Sequence, residues 1–187
     1  MKKNVYITDY NCVTPLGFDV ESNWNALVSG ISGVKEHHFL ELQKSFFVAK
    51  IDDKTLSEEF IKLNASAFTR LEKMLILSLR PLIEQHKISD KTALIFSTTK
   101  GNISSLKHQK EIPADAYLGN LAQKIADFFG FKMKPTVISN ACVSGVMAIS
   151  VAKNMIAAEI CDDAFVLAGD EISEFVISGF NSFQAIS

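Results

Sequence analysis

The sequence predicts an α/β fold in which helices are layered against a mostly parallel sheet. Two observations predict it. Short β-rich runs alternate with amphipathic helical patterns along most of the 187 residues, an order typical of layered α/β domains. The strand-like run 136–139 is followed by a small-and-apolar helical segment at 142–160 and by a buried strand at 164–168. Such a strand–helix–strand unit implies parallel strands joined by a right-handed crossover.

The first third of the chain contributes short elements separated by loops. In chain order, we predict a strand at 4–8, a helix at 21–29, a loop at 31–45, a strand at 45–51 and a charged surface segment at 52–63. The helix is indicated by Trp24, Leu27 and Val28 on one side, and Gly30 is its expected C-terminal stop.

A helix over 66–85 has the clearest periodicity. Its apolar residues recur at steps of three and four: Phe68, Leu71, Leu75, Leu79 and Leu82. Ser66 is the candidate N-cap, and Pro81 predicts a kink or an early stop because proline cannot donate the helical hydrogen bond. The order is completed by a strand at 92–97, an exposed polar loop at 98–113 and an amphipathic helix at 117–129 closed by Gly130.

Composition argues against several classes of function. The net charge of -2 gives no electrostatic basis for binding nucleic acid or an anionic membrane, and no apolar run reaches the roughly 18 residues of a spanning helix. The three cysteines are unevenly spaced and form no CxxC pair. We therefore expect neither a disulfide framework nor a metal site, and a reducing, cytoplasmic setting fits best. Cys12 and Cys161 are assigned to packing.

Cys142 holds the position from which chemistry is predicted. It follows an apolar run and precedes a long helical segment, and its neighbours Ala141, Ser144 and Gly145 are small enough for a bulky thioester to approach. The first turn of a helix carries unpaired N–H groups and a partial positive charge, which favour a thiolate and stabilise a developing oxyanion. Strand, sharp turn, nucleophile and helix also follow the order of an α/β-hydrolase elbow, without its G-x-S-x-G sequence. The alternative is that Cys142 is a small hydrophobic residue of the core.

Three separated stretches carry a family resemblance. Residues 5–17, VYITDYNCVTPLG, lead into a W-x-x-L-x-x-G-x-S-G helix end. Residues 139–171 begin with SNACVSG and end with DDAFVLAGDE, and residues 179–187 read GFNSFQAIS; a weaker fourth stretch is FTRLEKM at 68–74. They resemble the opening turn, the active-site A-C-x-[SG]-G with the helix behind it and the D-x-x-x-x-G-G-x-E strand that follows, and the G-F-x-x-x-x-A-L-S segment of a β-ketoacyl-[acyl carrier protein] synthase, of the thiolase-like superfamily.

The resemblance implies the N-terminal half of a two-half thiolase-like fold. This is a layered α-β-α half with a mostly parallel mixed sheet, expected to occupy residues 1–187 and to be cut before the C-terminal half. The resemblance implies that an acyl group moves from a carrier thioester to Cys142, whose backbone N–H is one oxyanion donor, and that Phe180 lines the acyl pocket. Decarboxylative condensation with a malonyl carrier, in fatty-acid or polyketide-like biosynthesis, would follow in the full-length protein. The implied partners are an acyl carrier protein and a second subunit, either identical or related, joined near residues 135–139.

The rest of the family's machinery belongs to the C-terminal half. Two histidines, a lysine and a second oxyanion donor come from there, so we expect this half alone to be inactive in condensation. The histidines present here are His37, His38, His86 and His108, and none falls on a family catalytic motif. We expect His37 and His38 to be solvated and His86, near a helix end, to be structural. No cofactor is implied.

Departures from the family's pattern indicate a specialised synthase. Residues 9–11 stand where the family favours G-x-G, the 99–115 region is short, and Asp170 occupies the place of a usual glycine before Glu171. Glu171 is expected to have a structural, hydrogen-bonding role. The run STTKGN at 97–102 lacks the G-x-x-x-x-G-K-[ST] pattern, so we predict a strand-end turn and not a phosphate loop.

Two other functions stay open. One is a non-catalytic partner subunit of the chain-length-factor kind, which has the same fold but usually lacks the active cysteine. The other is a thiolase-type acyl-binding protein without condensation activity. Two histidine motifs in the C-terminal half would support the synthase, and their absence would support the others. An isolated half should also expose apolar surface where the other half docks.

Overall fold

The computed structural model describes residues 4–63, 67–107 and 109–186, which lie in two compact units. In chain order the elements are α1 (Val20–Val28), β1 (Lys35–Phe39), β2 (Lys44–Val48), α2 (Asp53–Ile61), α3 (Arg70–Gln85), β3 (Thr92–Ser97), α4 (Leu118–Phe129), β4 (Thr136–Ile138), α5 (Ser144–Ala157), β5 (Asp163–Ala168) and α6 (Glu174–Ser182). Short 3₁₀ turns lie at Ile103–Leu106, Ala114–Ala116 and Ala141–Val143. The predicted N-cap Ser66 and His108 lie outside the described residues.

The first unit, which comprises the residues up to Tyr10 and Leu79–Asp170, contains a three-stranded sheet in the order β4-β3-β5. Both outer strands are parallel to β3, with Ile95 opposite Thr136 on β4 and Val166 on β5. The predicted α/β class is therefore confirmed, as is the parallel arrangement expected of the strand–helix–strand unit. Among the described residues, antiparallel strand pairing belongs to a separate hairpin.

The central strand β3 is buried along its whole length. On one face, Ala93 and Ile95 pack in one core cluster with Ala148 and Ala152 of α5. The small side chains of α5 let the helix lie close to the sheet. Leu94, which points to the other face, is 0% exposed. Burial on both faces is typical of a central strand in a layered parallel sheet.

The second unit, Asn11–Ser78 with the residues from Glu171 onward, contains an antiparallel hairpin. β1 and β2 pair along all five residues of each strand. The rings of Phe39 and Phe46 meet edge to face with centroids 5.9 Å apart. Ile177 of α6 packs against the same cluster, so this helix completes the small core over the hairpin.

Side-chain caps set the starts of α1 and α2. Asp19 Oδ1 accepts a hydrogen bond from the Ser22 N–H at 2.7 Å, and Asp52 Oδ2 accepts one from the Thr55 N–H at 2.9 Å. Arg70 then donates from Nε to the Asp53 carboxylate. That ion pair ties the first turn of α2 to the first turn of α3.

Several local predictions differ from the structure. Residues 4–8 form no strand, since no described strand pairs with them, and the loop predicted at 31–45 contains β1. The segment predicted as a surface excursion contains α2, because Leu56 and Phe60 lie one turn apart and are both buried. Helix α6 was not predicted.

Of the kink or early stop predicted at Pro81, the early stop does not occur. Helix α3 continues to Gln85, and the His86 N–H still donates to the Leu82 carbonyl at 2.9 Å. Proline removes one hydrogen-bond donor, whereas Leu79 in the same stretch is almost fully buried and holds the helix in place. Within the described residues, no helix has the length and apolar character needed to cross a membrane.

Candidate active site

The candidate site lies at the edge of the sheet where the three parallel strands end. Ser97, the last residue of β3, is opposite Ile138 on β4 and Ala168 on β5. The Gly169 N–H also donates to the Ser97 carbonyl at 3.0 Å. The segments that follow these strands therefore begin side by side, and in layered α/β folds this edge is where ligands bind.

Cys142 is exposed in the turn that follows β4. The sequence places it in the first turn of the long helix, but the structure places it in the 3₁₀ turn Ala141–Val143, just before α5 begins at Ser144. The 3₁₀ turn runs directly into α5, so Cys142 still lies at the N-terminal end of one continuous helical stretch. The thiol is therefore exposed in this chain, and the buried position that the packing alternative assumes is not observed here.

The turn around Cys142 has an unusual backbone. Ala141 has φ +43°, in the left-handed region that costs a residue with a Cβ roughly 1–2 kcal/mol. The Ser144 hydroxyl spans this turn: its Oγ accepts from the Asn140 N–H at 2.7 Å and donates to the Ala141 carbonyl at 2.8 Å. The Val143 N–H also donates to the Asn140 carbonyl at 3.1 Å. These bonds hold the two residues before Cys142 and the two residues after it.

The backbone N–H of Cys142 makes no hydrogen bond within the part of the chain that the structure describes. Next to it, the start of α5 lies close to the end of β5, since a Cβ on Gly145 would meet the Cβ of Ala168 at 3.9 Å. The free donor and the exposed thiol thus belong to the same residue. Such a pair is able to attack a carbonyl carbon and to stabilise the oxyanion that forms.

Asp170 fixes the turn after β3 from the end of β5. Its carboxylate accepts from the Thr98 hydroxyl at 2.8 Å, from the Thr99 hydroxyl at 2.7 Å, and from the backbone N–H groups of Thr99 and Lys100, both at 3.2 Å from Oδ1. Thr98 Oγ1 in turn accepts from the Gly101 N–H at 3.0 Å. STTKGN is therefore a strand-end turn, as predicted, and its donors bind an internal carboxylate.

Phe180 and the histidines lie elsewhere in the chain. Phe180 is on α6 in the second unit and is 48% exposed. His37 and His38 lie on β1, where loop was predicted; His38 is exposed as expected, but the Nε2 atom of His37 is buried without a hydrogen-bond partner in the described residues. His86 contacts Asp9 at 3.1 Å and, through that hydrogen bond first, holds the pKa of Asp9 below its usual range.

The other two cysteines, which were predicted to serve packing, are both less accessible than Cys142. Cys161 is 0% exposed in the core cluster beneath α5, and burial raises the pKa of its thiol, with Asp163 and Asp162 adding to the effect. Cys12 is half-buried, and burial again is the main cause of its raised pKa. The described residues contain no cluster of three or more potential metal ligands.

Comparison with known proteins identifies a family to which the chain is similar. A family model described as the N-terminal domain of beta-ketoacyl synthase matches residues 2–187. A search of curated protein sequences found no match. These findings, with the solved structures below, confirm the predicted family and fold class.

Three solved structures illustrate the likeness of fold. A ketosynthase in complex with its chain length factor from Xenorhabdus doucetiae has a TM-score of 0.74 at 20% identity, over 97% of this chain and 51% of that chain. A beta-ketoacyl synthase from Burkholderia phymatum has 0.75 at 21% identity, over 100% and 51%. The ishigamide ketosynthase/chain length factor has 0.76 at 14% identity, over 95% and 55%. The chain thus spans about half the length of these structures.

Proposed function

The chain belongs to the family of beta-ketoacyl synthase N-terminal domains, and from that premise we propose that Cys142 is the nucleophile of an acyl-transferring, condensing enzyme. The observation that carries the proposal is the exposed thiol in the turn between β4 and α5, at the edge where the parallel strands end. Its own unbonded N–H supports a second role for the same residue, as one oxyanion donor.

The proposed acyl transfer needs no group beyond a thioester substrate and water. The Cys142 thiol loses its proton to solvent, and the thiolate attacks the carbonyl carbon of an acyl thioester on a carrier protein. An S–C bond forms, and the carbonyl oxygen takes the negative charge beside the Cys142 N–H. The C–S bond to the carrier then breaks, the carrier thiolate takes up a proton, and the acyl group stays on Cys142.

Condensation is proposed for the whole protein. A malonyl thioester on a carrier loses carbon dioxide, and its carbanion attacks the acyl carbonyl on Cys142. A C–C bond forms, the bond to the Cys142 sulfur breaks, and a β-ketoacyl thioester leaves on the carrier. We assign this reaction to fatty-acid or polyketide-like biosynthesis in the cytoplasm, with Phe180 lining the acyl pocket.

Exposed apolar side chains on the helix behind Cys142 support a larger assembly. Val146 is 73% exposed and Ile149 is 45% exposed on α5, beside the exposed Met147 and Val143. Single apolar residues on a surface are ordinary, but a run of them on one helix marks a contact. Because the chain spans about half of the solved ketosynthases, we propose that a second half of the protein covers this face.

The free edge of β4 supports the proposed subunit contact. Among the described strands, β4 pairs only with β3, so its other edge offers unpaired backbone groups. We propose that a second subunit, identical or related, pairs there.

The test of the nucleophile is intact-mass spectrometry. The chain is incubated with a hexanoyl thioester of an acyl carrier protein, and Cys142→Ala is compared with Cys12→Ala and Cys161→Ala as matched controls. We expect a single added hexanoyl group in the wild-type chain and both controls, and none in Cys142→Ala. Acylation that persists in Cys142→Ala would exclude Cys142 as the nucleophile. No acylation of either the chain or the full-length protein would favour a non-catalytic partner subunit.

A further inference from the structure

We propose that Ser144 is a positioning residue for Cys142, an inference that rests on the proposed function of that cysteine. Ser144 is 5% exposed, and its hydroxyl is fully engaged within the turn. It accepts from the Asn140 N–H and donates to the Ala141 carbonyl. The two bonds end on the two residues that precede the nucleophile.

The hydroxyl counteracts a strain in the backbone. The positive φ of Ala141 is unfavourable for an alanine, so the turn relaxes unless other contacts hold it. Without the hydroxyl, Asn140 loses the acceptor of its N–H, and the Ala141 carbonyl keeps only the backbone bond from the Ser144 N–H. Relaxation at Ala141 rotates the peptide that joins it to Cys142, and that peptide carries the Cys142 N–H. Ser144 therefore sets the direction of the proposed oxyanion donor as well as the position of the thiol.

This role predicts that removal of the Ser144 hydroxyl slows two reactions of Cys142 to different extents. Alkylation by iodoacetamide is a displacement at carbon that forms no oxyanion, so it depends only on the thiolate. Acyl transfer from a thioester passes through an oxyanion and depends on the N–H as well. A loss of general stability would slow both reactions by the same factor, whereas a misdirected N–H slows acyl transfer more.

The experiment measures both rates on the same variants by intact mass. The acyl probe is the N-acetylcysteamine thioester of hexanoic acid, and the variants are Ser144→Ala, Ser144→Thr and, as the matched control, Ser150→Ala, an exposed serine on the same helix. We expect Ser144→Ala to slow alkylation about two- to five-fold, because a displaced thiolate is less stabilised by the partial positive charge at the helix start. We expect acyl transfer to slow at least about ten-fold more, because loss of one oxyanion donor costs roughly 10²–10³ in rate. Ser144→Thr keeps the hydroxyl and should restore both rates.

The outcomes separate this proposal from the proposed function. If the wild-type chain is acylated but Ser144→Ala changes neither rate, or lowers both equally, the positioning role is wrong and the nucleophile stands. A Ser144→Thr variant as slow as Ser144→Ala also overturns the role of the hydroxyl. If the wild-type chain is not acylated, the proposed function fails in this chain. The alkylation rates then test only the position of the thiol: a drop in Ser144→Ala that Ser144→Thr restores upholds it, and a rate equal to that of Ser150→Ala overturns it.

Discussion

The carboxylate of Asp170 is expected to be the main support of the turn after β3, and Asp170→Ala tests this. The substitution removes the acceptor of two hydroxyl and two backbone N–H donors from three consecutive residues, Thr98, Thr99 and Lys100. A hydrogen bond to a charged acceptor contributes about 1.5–3 kcal/mol when it is buried. Asp170 is exposed, so water replaces much of what is lost. We therefore expect a total loss of about 2 kcal/mol in the free energy of unfolding.

Urea unfolding followed by circular dichroism measures this loss, with thermal melts as a second readout. For a chain of this size, 2 kcal/mol corresponds to a fall of about 4–8 °C in the melting temperature. Asp170→Asn keeps one carbonyl oxygen as acceptor and should lose about half as much. The control is Asp90→Ala, an exposed aspartate that makes no side-chain hydrogen bond with the described residues. If Asp170→Ala unfolds within about 0.5 kcal/mol of the control, the four bonds do not stabilise the turn and the reasoning is wrong.

Two further predictions concern the backbone of the nucleophile turn and the N-terminal segment. Ala141→Gly relieves a left-handed conformation and should leave the chain as stable as wild type or up to about 1 kcal/mol more stable. Ala152→Gly in the interior of α5 should instead cost at least about 0.5–1 kcal/mol in urea unfolding, and an equal loss in both variants would show that Ala141 is unstrained. The pKa of Asp9 is lowered first by the hydrogen bond from His86 and second by the bond from the Tyr10 N–H. The Asp9 carboxylate therefore stabilises the fold at pH values above its unfolded pKa, near 4. This stabilisation is lost as the pH falls through the lowered pKa of the folded state. Melting temperatures between pH 7 and pH 2.5 should therefore fall less steeply in His86→Ala than in the wild type, and identical profiles would contradict the pairing.

The parts of the fold that could be predicted are those whose residues carry their own signal. The strand 92–97 has the predicted bounds because its run of apolar and β-branched residues is buried on both faces. The end of α4 is marked by Gly130, which adopts φ +82° after the last helical residue. In contrast, β1 has the sequence KEHHF and a single buried residue, so only its pairing with β2 makes it a strand. Residues 4–8 look like a strand but find no partner among the described strands.

In the candidate site, too, some residues could be predicted from the sequence and others could not. Cys142 could be found from its place between a strand and a helix and from the motif around it. Ser144 was visible only as a small neighbour, because its two hydrogen bonds depend on the backbone of the turn and not on residue type. Asp170 was visible as a departure from the family, but its role depends on the pairing of β3 with β5, which brings it beside Thr98 and Thr99. Contacts between segments far apart in sequence are set by the tertiary fold.

The buried thiol of Cys161 reports how often the core between α5 and the sheet opens. Cys161 is inaccessible in the core, where burial raises the pKa of its thiol, whereas Cys142 is open to solvent. In a labelling experiment with excess thiol reagent, the exposed Cys142 is labelled first. Cys161 is labelled only when the packing of α5 against the sheet opens locally. The ratio of the two labelling rates therefore measures the opening of the sheet core in the native protein, without any introduced probe.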